Sequence, residues 1–140
     1  MMVLRLRQDL HRAPVPKERD AGLALINHLR VVGLRCRAAR EGAPLESCAL
    51  IGARDAAARA VHAETLMRAL PNALGRAPVL YRPGSVELSF DEAWILQLAH
   101  SLAACDMPSA EFLLRSRVPL HARRGLSFLL RSVSEHFSLI

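Results

Sequence analysis

The chain has 140 residues, 51% of them apolar and only 23% charged, with a net charge of +6. That length suits a single domain, 1–140, long enough to bury a core without disulfides or metals. No run approaches the roughly 18–20 uninterrupted apolar residues that cross a bilayer, so no membrane segment is expected.

Residues 1–16 open with the short alternation Leu4-Arg5-Leu6-Arg7, read as an N-terminal tail lying along the body. Pro14 and Pro16 end any regular element there, and Pro16 sits where a helix can begin. From Asp20 to Cys36, the residues Ala21, Leu25, Leu29, Val32 and Cys36 align at helical spacing, with Asn27, Arg30 and Arg37 opposite. The stretch 34–52 is ambiguous. Leu34-Arg35-Cys36-Arg37-Ala38 alternates with period two, and Cys48 to Ile51 is able to return as a second strand after the turn at 41–44. Ala38, Ala39 and Arg40 prefer helix, however, and Cys36 continues the preceding stripe. The preferred reading runs the first helix to about Arg40 and adds a short helix near 45–51. The alternative is an α+β domain with strands at 34–40 and 46–52.

An alanine-rich helix follows over 55–70, with Ala60, Ala63, Met67 and Leu70 on one face and Leu66 beside them, closed by Pro71-Asn72 and Gly75. Pro83-Gly84 is the pair that a type II turn places at its central positions. Val79 with Tyr81 and Val86 with Leu88 then flank either one small hairpin near 79–88 or an extended loop pinned by its apolar side chains.

The strongest local signal is 91–105. Ser89 and Glu92 read as a capping box, and Trp94, Ile95, Leu98, Leu102 and Cys105 form an apolar arc widened by Leu96, Ala99 and Ala103. A helix apolar over most of its circumference is covered on several sides, so this is the predicted central helix. Two more helices complete the expectation, over 109–117 and 120–136. On the last, Ala122, Leu126, Leu129, Leu130, Val133 and Phe137 face one way, and Arg124, Ser127, Arg131 and Glu135 the other. The fold class expected is all-α, about five helices packed around a central buried helix.

Chemical signatures are sparse. His62-Ala63-Glu64 matches half of a zinc-deaminase motif, but the Pro-Cys-x-x-Cys half is missing. No nucleophile elbow, phosphate-binding glycine loop or dinucleotide fingerprint occurs. The expectation is therefore a non-enzymatic module with no cofactor and no metal. Three cysteines, Cys36, Cys48 and Cys105, have no paired spacing, and charges occupy the N-terminus where a signal peptide is apolar, which together point to reduced thiols in the cytoplasm.

Partners are read from the surface that remains. So apolar a chain with so few charges is expected to cover part of itself with a second copy or a protein partner. By phase, Phe128 falls between Arg124 and Arg131 on the polar side of the last helix, the composition of a protein–protein hot spot. These three are the predicted partner-binding residues. The competing reading tucks Phe128 under Phe112, the loop around Tyr81 or the tail. The charge comes from 18 arginines and one lysine, with Arg115, Arg117 and Arg123 as candidate polyanion contacts. A basic nucleic-acid-binding regulator is thus the alternative function, though the turn joining the last helices lacks the small-residue pattern of a helix-turn-helix.

Overall fold

Wherever the computed structural model describes the chain, at residues 16–40, 54–137 and 139, regular structure is helical and no strand occurs. The helices are α1 (Pro16–Arg40), α2 (Arg54–Leu74), α3 (Phe90–Ala103), α4 (Met107–Arg117) and α5 (Leu120–Ser134), followed by a 3-10 turn, Glu135–Phe137. The all-α expectation is met. α1 runs unbroken through 34–40, which rules out the strand alternative there. The predicted tail and the element at 45–51, helix or strand, lie outside the described residues.

The stripes meet as expected. Leu25, Leu29, Val32 and Cys36 of α1, Ala63, Leu66, Met67 and Leu70 of α2, and Leu126, Leu130 and Val133 of α5 are all buried. α2 packs most extensively against α5, α1 lies along α2, and α3 touches α1, α4 and α5. On α3, Trp94, Ile95, Leu98, Ala99 and Leu102 are buried, each large side chain contributing about 1.5–3 kcal/mol through removal from water. Trp94 also donates its indole N–H to the Leu113 carbonyl at 3.1 Å, which fixes α3 against α4.

Three helix ends depart from the sequence reading. α2 continues through Pro71 to Leu74 and stops at Gly75, whose φ of +78° supplies the left-handed residue that ends a helix. Burial of Leu70 and Ala73 holds the final turn together despite the N–H that Pro71 lacks. Cys105 does not join the apolar arc of α3. It is exposed, at φ +55°. Asp106 N–H reaches the Ser101 carbonyl at 2.9 Å and Cys105 N–H the Leu102 carbonyl at 3.2 Å. That is the Schellman pattern, with cysteine where glycine is usual. Asp106 then caps α4, which begins at Met107, two residues earlier than the predicted start at 109.

The connection between α2 and α3 is the extended loop, not the hairpin. Ser85 N–H bonds the Arg82 carbonyl at 3.1 Å and Gly84 has φ +92°, as a type II turn over Pro83-Gly84 demands. Apolar pinning is secondary. Val79, Tyr81 and Val86 are exposed, and Leu80 and Leu88 pack on the core instead.

What pins the loop is charge. Arg30, predicted on the polar face of α1, is only 1% exposed and pairs with the fully buried Glu92. Its Nε donates to Glu92 Oε2 at 2.6 Å and Nη2 to Oε1 at 3.0 Å. Nη1 donates to Asn27 Oδ1 and to the Ser85 carbonyl, and Nη2 also to the Glu87 carbonyl, each at 2.8 Å. All five guanidinium N–H donors are thereby used. Glu92 in turn accepts from the backbone N–H of Ser89 at 2.9 Å and Tyr81 at 3.2 Å. Burial raises the Glu92 pKa, but Arg30 and these two amides outweigh it and hold the carboxyl below its ordinary value.

Candidate functional site

Asp91, next to Glu92, decides which of the predicted arginines reach the surface. Arg117 donates Nη2 to Asp91 Oδ1 at 2.6 Å, and its guanidinium lies over the Trp94 and Phe90 rings, 5.1 and 5.4 Å from their centroids. Its Nη1 is buried with no hydrogen-bond partner among the described residues. Arg76 closes on the same carboxylate with two bonds of 2.9 Å, and Val79 N–H adds one of 2.6 Å. Burial pushes the Asp91 pKa up, but these donors overcome it and hold it at about 2. Arg117, read from sequence as a polyanion contact, is thus turned inward as part of the scaffold. Proximity to the other arginines in the chain gave no hint of this, because Asp91 is 26 positions away.

The remaining predicted residues lie on the outside of α4 and α5. At 100° per residue, Leu120, Arg124, Phe128 and Arg131 share one strip of α5, and all four are exposed. Phe128 is 61% exposed. It does not tuck under Phe112 or the Tyr81 loop. Its one aromatic neighbour among the described residues is His62 of α2, edge-on with ring centroids 5.8 Å apart. No group of three His, Cys, Asp or Glu side chains gathers for a metal among the described residues.

Beside this strip, α4 and α5 diverge to leave an open groove of about 500 Å³. Met107, Leu114 and Leu120 give it apolar walls, and Arg115, Arg123 and Arg124 line it with positive charge. Arg123 is partly spent, its Nε donating to the Val118 carbonyl at 2.9 Å. Arg115 and Arg124 are exposed. The structure thus brings together Arg115, Arg123 and Arg124, adds Phe128 and Arg131 along the adjoining strip, and removes Arg117.

Three apolar residues of this surface were missed by sequence reasoning: Met107, Phe112 and Leu120. Leu120 is 78% exposed and Phe112 73%. The available signal was phase. Leu120 is four residues before Arg124 and eight before Phe128, which places it on the same strip. Phe112 borders a second groove between α3 and α4, with Gln97, His100 and Ser109.

No family model, curated protein or solved structure matches the chain. Among the described residues no helix is long and apolar enough to cross a membrane.

Proposed function

We propose that the chain is a non-enzymatic interaction or regulatory module of the cytoplasm, holding a protein partner or a second copy of itself through its C-terminal helices. The observation that carries this reading is Phe128, an aromatic side chain left 61% exposed between Arg124 and Arg131. Aromatic residues and arginines are the types that dominate binding energy at protein interfaces.

A stability control separates interface from core. Phe128→Ala removes a ring already mostly in water, so it should cost less than about 1 kcal/mol of fold stability. Leu130→Ala, at a fully buried position of the same helix, should cost about 2–5 kcal/mol. Immobilised wild-type protein should retain a partner from the native cytoplasm that Phe128→Ala protein releases, or else sediment above 15.4 kDa where the variant does not. A Phe128→Ala protein that melts as early as Leu130→Ala, or that retains every partner of the wild type, refutes the reading.

The grouping of Arg115, Arg123 and Arg124 in one groove favours a second reading, binding of a nucleic acid. Affinity would then fall steeply with salt as counterions are released, which a mobility-shift titration measures. The apolar walls of the groove count against it, because a phosphate backbone leaves them without a counterpart.

A further inference from the structure

We propose that the groove between α4 and α5 is the seat of an acidic amphipathic helix supplied by a partner protein. The inference deepens the interaction-module reading by naming the chemistry of the partner, and it rests on that reading.

Two features of the groove together specify the occupant. Met107 and Leu120 line it while remaining 55% and 78% exposed, with Leu114 at the side nearest the core. Large apolar side chains in such a position gain by meeting apolar side chains spaced along one face of a helix. Around them stand Arg115, Arg123 and Arg124, opposed by the single carboxylate of Glu111. The lining therefore carries a net charge of +2, three arginines less one glutamate, and the complementary surface is negative. A purely apolar segment would meet the walls but leave the arginines unpaired. A nucleic acid would pair the arginines but leave the walls uncovered. A helix with leucine-like anchors on one face and Glu or Asp flanking them answers both.

A second copy of this chain answers less well. A two-fold contact sets the same patch against itself, so arginine rims would face arginine rims. The chain as a whole is also positive, at +6. A two-fold self-contact therefore uses a different surface from this groove.

The experiment is a selection from a display library of helical 16-residue peptides with randomised side chains, carried out on the full chain. The expected result is enrichment of sequences with apolar residues at i, i+3 or i+4, and i+7, flanked by Glu or Asp. Arg115 and Arg124 are the residues to reverse, because Arg123 also holds the Val118 carbonyl. Arg115→Glu and Arg124→Glu should each weaken the selected peptide by at least about tenfold at low salt. Replacing the peptide's acids by lysine should restore binding to the doubly reversed protein. Reversal of Arg68, exposed on α2 at a different depression of the surface, should leave binding unchanged. Enrichment of basic or uncharged peptides overturns the proposal, as does indifference to the Arg124 reversal or no enrichment at all. Those failures leave the Phe128 reading standing, since that is judged by partner retention and mass with the groove intact.

Discussion

Replacing Arg30 should show how far one buried cation holds the α2–α3 loop to the rest of the protein. Arg30→Met keeps an unbranched side chain in place but strips Glu92 of two of its four hydrogen-bond donors, leaving only the Ser89 and Tyr81 amides. Those two bonds do not compensate a carboxylate that is wholly out of water. Breaking a buried pair from one side costs about 3–5 kcal/mol, and the same is expected of Glu92→Gln, which conserves volume and so excludes packing as the cause. Asn27 Oδ1 and the Ser85 and Glu87 carbonyls, in part-buried bonds, also lose this partner and add to the loss. Urea denaturation at pH 7 of the wild type, Arg30→Met, Glu92→Gln and the double variant measures the coupling. The two losses should be strongly sub-additive, because the second substitution removes the charge that the first left stranded. The pH dependence supplies a sign. With Arg30 gone, burial raises the Glu92 pKa in the folded state above its unfolded value, so Arg30→Met should become relatively more stable as pH falls from neutrality. Single losses below about 1 kcal/mol, or additive losses, would refute the view that this pair anchors the loop.

Three further outcomes follow from the ends of α3 and the loop before it. Asp91 has a folded pKa of about 2 against an ordinary 3.8, so it stabilises the fold above pH 4 by roughly 2 kcal/mol. That contribution should fade as pH falls from 4 towards 2 and be missing from Asp91→Asn, as acid titration of stability with the two proteins compared will show. At the other end, Cys105→Gly should raise stability by about 0.5–1 kcal/mol, since glycine occupies the left-handed region without steric cost. Gly84→Ala, at φ +92° with no atom within 4 Å of the added Cβ, should lower it by about 1 kcal/mol through backbone strain alone. Thermal melts give both signs, and a stabilised Gly84→Ala would contradict the turn assignment.

The elements legible in the sequence were those decided within a few residues. The Ser89–Glu92 capping box, the stripes of α1 and α5, and the Pro83-Gly84 turn are local events, and periodicity or turn chemistry reports them directly. What was not legible depends on partners far along the chain. By phase Arg30 lies opposite the stripe of Leu25, Leu29 and Val32, yet it follows Ile26, buried on the same side of α1, and its partner is 62 positions away. Nothing in the phase of α1 announces Glu92. In the loop Leu88 packs on the core as expected but Val79, Tyr81 and Val86 do not, because its register is set by bonds to Arg30, Asp91 and Glu92 rather than by alternating apolar side chains. Pro71 was read as a stop on propensity alone, and tertiary burial of the following turn overrode it. On the outer surface, phase put Phe128 between two arginines, and the structure leaves it there in water. Arg115 and Arg117 were grouped by composition alone, although two positions on a helix lie about 200° apart, and the structure separates them on that phase: Arg117 binds the scaffold and Arg115 is exposed.

That last distinction connects the buried charges with the proposed groove. Asp91 and Glu92 are consecutive, so on the first turn of α3 they point about 100° apart. Glu92 reaches α1 through Arg30, and Asp91 reaches the last residue of α4 through Arg117. The C-terminal end of α4 is thereby tied to the N-terminal end of α3, while Trp94 ties its middle through the Leu113 carbonyl. Val118 and Pro119 leave α4 almost at once for α5, so the position of this end also sets where α5 begins. The walls of the groove are the outer sides of these two helices. Arg117 is not among the residues that line the groove, yet its bond to Asp91 fixes one end of the helix that forms a wall.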